Sequence, residues 1–77
     1  MPDLTLYHFK GCPYCGKVRN YLEQEGKTVP MKDIRENPDY REELIQVGGK
    51  GQVPCLVIDG KALYESNDII EWFKQNS

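Results

Sequence analysis

Leu4-Thr5-Leu6-Tyr7-His8-Phe9-Lys10-Gly11-Cys12-Pro13-Tyr14-Cys15 decides the fold, because in it a strand-like apolar run gives way to a helical pattern at two cysteines. Residues 4–9 are rich in β-formers and carry large groups on both faces, as a central strand covered on both sides does. From 13 to 25, Cys15, Val18, Tyr21 and Leu22 recur at intervals of three and four, an amphipathic helix ended by Gly26, and Pro13 suits its first turn. The cysteines thus stand at a helix start, where unpaired N–H groups supply partial positive charge and favour thiolate over thiol. Cys12, at the exposed end, takes the place of the nucleophile. Cys15 waits one turn below to close a disulfide, so the stretch predicts thiol–disulfide exchange.

Outward from this stretch, residues 28–33 predict a short strand, and Pro30 assigns it to a sheet edge. Asn37-Pro38 reads as a helix cap and first position, with Tyr40, Leu44, Ile45 and Val47 as the buried side before Gly48-Gly49 stops the helix. Residues 53–58, Asp59-Gly60 and 61–65 form a hairpin signal, since Asp-Gly supplies the positive backbone angles of a tight two-residue turn. Residues 66–75 place Ile69, Ile70, Trp72 and Phe73 on one apolar face, with Ser66, Asn67 or Asp68 to cap the start. The order β-α-β-α-β-β-α predicts an α/β fold: a four-stranded mixed sheet flanked by three helices.

Seventy-seven residues without linker, repeat or low-complexity stretch predict one domain over 1–77. A formal charge of −2 argues against a general nucleic-acid or membrane-surface role. Met1-Pro2-Asp3 lacks the basic start of a secretory signal, and the apolar run at 53–58 is far short of a membrane span. Three cysteines are an odd count and too few for a stapled secreted scaffold, which predicts a reducing, cytoplasmic setting in which a pair is catalytic rather than structural.

The Cys-Pro-Tyr-Cys at the first strand-to-helix turn, Val53-Pro54 at the third strand and the polar start of the last helix together resemble a glutaredoxin over essentially the whole chain. Gln52-Val53-Pro54 and Tyr64-Glu65-Ser66-Asn67-Asp68-Ile69-Ile70 also resemble the N-terminal domain of glutathione transferases, in which a Glu-Ser pair holds the γ-glutamyl end of glutathione. The resemblance implies a thioredoxin-like fold and a monomeric glutathione-disulfide oxidoreductase serving electron transport and cell redox homeostasis. Such an enzyme has no tightly bound cofactor, with glutathione as co-substrate and disulfide-containing or glutathionylated proteins as partners.

Under this resemblance Cys12 attacks and Cys15 resolves, while Lys10, Tyr14, Gln52, Val53, Pro54, Glu65, Ser66 and Asn67 contact glutathione. A cis bond before Pro54 would turn the Val53 backbone toward the cysteines, to pair with glutathione as with a short added strand. Ser66 and Asn67 would receive the γ-glutamyl carboxylate at the helix N-terminus, and Tyr14 and Gln52 would flank the tripeptide. Lys10, Lys17 and Arg19 are candidate positive neighbours of Cys12. Where glutaredoxins usually carry Lys or Arg three positions before the first cysteine, this chain has Phe9, and Lys10 stands only two before.

Alternatives remain beside this reading. One is a glutaredoxin-like donor reduced by thioredoxin reductase. Another is an iron–sulfur or zinc carrier using Cys12, to which the stiff Pro13 loop is ill suited. His8, Cys12, Cys15 and Cys55 nominally total a zinc set, yet a closed site would consume both redox thiols, so no metal ligand is expected. Cys55 reads instead as a small buried apolar residue and His8 as a packed one.

Overall fold

A computed structural model describes residues 3–76; Met1, Pro2 and Ser77, and with them the first two of the three residues read for a targeting signal, lie outside the described residues. The elements are β1 (Leu4–His8), α1 (Pro13–Gln24), β2 (Met31–Asp33), α2 (Pro38–Gly48), β3 (Cys55–Ile58), β4 (Lys61–Tyr64) and α3 (Ser66–Gln75). The sheet order is β2-β1-β3-β4. β1 runs parallel to β2, with His8 opposite Asp33, and antiparallel to β3, with Tyr7 opposite Cys55. β3 and β4 form the expected hairpin, turned by Asp59 (φ 50°) and Gly60 (φ 84°). This is the four-stranded mixed sheet with three helices that the element order predicts, in the thioredoxin-like arrangement that the resemblance implies. No helix among the described residues is long and apolar enough to cross a membrane.

The period-two alternation of β1 and β3 divides the core. Leu6 and Leu56 face one side and pack with Val18 and Leu22 of α1 and Ile69 and Phe73 of α3. Tyr7 and Cys55 face the other, against Ile34, which follows β2, and Leu44 of α2. Both faces of β1 are therefore covered, as large groups at successive positions require. The C-terminal end of β1 feeds directly into the loop before Cys12, so the core fixes where the cysteines stand.

Several expectations need correction. β2 and β3 are shorter than the runs 28–33 and 53–58, starting at Met31 and Cys55. Pro30 precedes β2, and its carbonyl still accepts the Leu6 N–H at 2.9 Å. Val47 is 40% exposed rather than buried. The reason is Gly48: a Cβ there would sit 1.9 Å from Tyr64 Oη, so α2 meets β4 through this bare backbone and Val47 swings to the flank. Gly49 then ends the helix with φ 86°. At α3 none of the three candidate side chains caps the helix. Glu65 occupies the N-cap with φ 73° and makes no side-chain capping bond.

Candidate active site

Cys12 is the N-cap of α1, with extended backbone (φ −85°, ψ 118°), and Pro13 follows at the first helical position, where a missing N–H costs nothing. The Cys12 Sγ accepts the Cys15 N–H at 3.4 Å, and the Cys12 carbonyl accepts the Gly16 N–H at 3.0 Å. A helix N-terminus thus points at the sulfur. Cys12 is more sheltered than an exposed end suggests, at 8% exposure, because as N-cap it folds back over the helix; Cys15 is fully buried. Burial pushes the Cys15 thiol up, and the hydrogen bond with Cys12 adds to it. All three cysteines are free thiols. The pair is therefore unequal, one sulfur with slight exposure at the helix start and one fully buried, protonated reserve beneath it.

The loops after β1 and β2 are each held by a side chain. Asp33, buried at the end of β2, accepts the N–H groups of Arg35 at 2.8 Å and Glu36 at 3.2 Å. Arg19 donates to the Lys10 carbonyl at 3.5 Å. The Lys10 ammonium turns away to Glu36 at 3.2 Å, both side chains well exposed, while the Phe9 ring lies 4.1 Å from the Arg35 guanidinium.

His8 is buried beside this loop, and its Nδ1 has no hydrogen-bond partner among the described residues. Burial foremost, then the Arg19 charge, lowers its pKa, with Asp33 and Glu36 opposing and Lys10 adding to the fall. Above about pH 6.5 an unfolded His8 is neutral too, so nothing is lost. Below it the unfolded chain takes up a proton that the folded protein resists, and stability declines as pH falls. His8→Gln should flatten the dependence of the urea midpoint on pH between about 7 and 5. The same slope in parent and variant would contradict this assignment.

Tyr14, Gln52, Val53, Pro54, Glu65, Ser66 and Asn67 line one cavity of about 310 Å³. The structure thus brings together every residue read as a glutathione contact except Lys10, which stays with Glu36. Tyr14, 67% exposed and set between the two cysteines, joins this cavity to the pair. The Val53-Pro54 bond is cis. Gln52 Nε2 donates to Glu65 Oε1 at 3.5 Å. The start of α3 lies in the wall without a side-chain cap, so its first N–H groups remain available. A carboxylate and a positive helix end in one small cavity suit a zwitterionic head group.

Lys17, from α1, donates through Nζ to Asn67 Oδ1 and ties the two helix starts together. A second cavity, about 360 Å³ and walled by Leu4, Val29, Trp72 and Phe73, lies at the other end of β1 and holds no thiol. Cys55 is fully buried and burial pushes its thiol up to about 11, in keeping with a core role. It faces α2 while Cys15 belongs to α1, so the nominal zinc set does not converge; no metal-holding group of three or more His, Cys, Asp or Glu occurs among the described residues.

Three residues escaped the sequence reading in these roles: Asp33, which holds the turn after β2, Arg19, which holds the Lys10 carbonyl, and Lys17, which reaches Asn67. Asp33 had a signal, an acidic residue closing a strand just before a turn. Lys17 had none, because its partner is 50 positions away.

A family model described as the N-terminal domain of glutathione S-transferase matches residues 6–77. Prostaglandin E synthase 2 of Mus musculus is 39% identical over 67 residues, covering 86% of this chain and 17% of that protein. The chain thus spans about a sixth of the length of that relative. Glutaredoxin 3 of Escherichia coli strain K12 is 29% identical over 69 residues, covering 90% of this chain and 83% of its own. Among solved structures, glutathione transferase Omega 3C from Trametes versicolor superposes with a TM-score of 0.81 at 34% identity, over 96% of this chain and 33% of that one.

Proposed function

The chain belongs to the glutathione S-transferase N-terminal domain family, and on that footing we propose that it is a glutathione-dependent thiol–disulfide oxidoreductase. One observation carries the reading: the unequal Cys12–Cys15 pair at the start of α1, joined through Tyr14 to a cavity that suits the γ-glutamyl end of glutathione. A transferase's sulfur chemistry needs no second thiol. A fully buried Cys15 behind a slightly exposed Cys12 is of use where a disulfide forms and is broken. The reading takes residues 1–77 as one monomeric domain, working in the cytoplasm on disulfide-containing or glutathionylated proteins.

With a glutathionylated protein, the Cys12 thiolate attacks the glutathione sulfur. The new bond is Cys12–S–S–glutathione, and the protein thiolate leaves and takes a proton. A second glutathione thiolate then attacks the glutathione sulfur, releasing oxidised glutathione and the Cys12 thiolate. With a protein disulfide, Cys12 forms the mixed disulfide, Cys15 gives up its proton and attacks the Cys12 sulfur, and the substrate leaves as a thiolate. Two glutathiones reduce the resulting Cys12–Cys15 bond and leave as oxidised glutathione. The thiol of Cys15, held protonated by burial, enters only when the mixed disulfide is in place.

Val53 and Gln52 supply backbone and amide groups along the tripeptide, and Ser66 and Asn67 hold its γ-glutamyl carboxylate beside the start of α3. Lys10, engaged with Glu36, stands at the periphery of this contact set. The test couples the protein to NADPH through glutathione plus glutathione reductase, and separately through thioredoxin reductase, with a small mixed disulfide as substrate. Faster turnover by the glutathione route is expected; preference for thioredoxin reductase would overturn the electron source. Ser66→Ala with Asn67→Ala should weaken glutathione roughly 10- to 100-fold, the worth of a charge-assisted hydrogen bond or two. A folded double variant that binds glutathione like the parent would remove both residues from the site.

A further inference from the structure

Lys17 stands outside the cavity, yet its ammonium is fixed on a residue that lines it. The ammonium carries only donors, so at Asn67 it must meet the amide oxygen, as Nζ to Oδ1. An asparagine amide left alone presents either end to its surroundings. Here the oxygen is engaged from outside, and the amino end, with two donors, remains for the cavity wall in which Asn67 sits. That corner also holds the uncapped start of α3, whose N–H groups are donors as well.

We propose that Lys17 is a positioning and specificity residue: by holding Asn67 Oδ1 it leaves the Asn67 amide to offer its donors beside the start of α3 and adds positive charge there, so that this corner of the cavity selects a ligand carboxylate over an amide or alcohol. The inference rests on the reading of the cavity as the glutathione site, and it adds what selects the γ-glutamyl end. Glu65, the acidic residue of the same wall, has its Oε1 engaged by Gln52. The carboxylate and ammonium of one amino-acid head group thus meet different residues. The charge of Lys17 acts from the neighbouring helix, and because the contact is exposed its effect is moderate.

The test compares the parent with Lys17→Met and Lys17→Arg. Lys17→Met should weaken glutathione about three- to tenfold, the range of one hydrogen bond and a helix-end charge, while Lys17→Arg retains binding. Cysteinylglycine, which lacks the γ-glutamyl group, should bind all three proteins alike. In the ligand-free protein the Asn67 side-chain amide signals, identified by their loss in Asn67→Ala, should shift in Lys17→Met and hold in Lys17→Arg. Unchanged glutathione affinity in Lys17→Met, or an equal loss for cysteinylglycine, would overturn the inference and leave the proposed function standing. A parent that binds no glutathione would overturn the proposed function instead, and the amide signals would still decide whether Lys17 orients Asn67.

Discussion

Cys12→Ser is expected to lose both removal of glutathione from proteins and reduction of protein disulfides, by roughly a thousandfold or more, because a serine hydroxyl carries no appreciable anion near neutral pH. Cys15→Ser should separate the two. Glutathione reaches the Cys12 mixed disulfide from solution, so deglutathionylation survives. Reduction of a protein disulfide needs the internal attack from beneath, which benefits from the high effective concentration of a neighbouring group, and should fall about a hundredfold or more. The expectation rests on the difference in burial, since Cys12 keeps 8% exposure while Cys15 has none and lies one helical turn away. The measurement is the coupled assay with a glutathionylated protein and with a protein disulfide as parallel substrates. Equal residual activity in the two variants would refute the assignment of attacking and resolving roles.

Leu56→Ala is expected to have the largest effect on stability, about 3 to 5 kcal/mol, the cost of a cavity in a core that collapses poorly. Leu56 is fully buried in β3, paired with Leu6 on one side and Leu63 on the other, and packs in the cluster of α1 and α3. For a folded chain of 77 residues the stability is roughly 4 to 12 kcal/mol, so the variant is brought close to unfolding. Val47→Ala, on the exposed flank of α2, should change stability by less than about 0.5 kcal/mol. Urea denaturation of both variants decides it. A loss below about 1 kcal/mol for Leu56→Ala would mean that the two-sided core is misassigned. Because α1 carries Cys15 and α3 carries Ser66, activity should follow the folded fraction rather than the chemical step.

The sequence made the architecture legible because its signals are local. Large residues at 4–9 announce a strand covered on both faces, Pro13 and Pro38 mark helix starts, and Asp59-Gly60 marks a hairpin, each by chemistry within a few residues. Where it misled, the deciding contact was distant. Val47 has the spacing of a buried residue, but the approach of Tyr64 to Gly48 sets how α2 sits, and nothing near Val47 records it. Ser66, Asn67 and Asp68 are good capping types, yet the positive φ of Glu65 takes the cap position. In the cavity the same holds: Tyr14, Val53 and Ser66 stand in recognisable motifs, whereas the Lys10–Glu36 and Lys17–Asn67 contacts depend on how separate elements come together.

The order β2-β1-β3-β4 leaves two outer strands, of three and four residues. Pro30, which has no N–H to offer, stands directly before β2, and Lys32 within it is turned to Glu43 at 2.7 Å. On the other side Lys61 opens β4, and the Asp59-Gly60 turn ends the row of free backbone groups there. Short, charged and interrupted margins of this kind give a second chain little to pair with. The sheet is thereby guarded at both margins against adding strands from copies of the same chain.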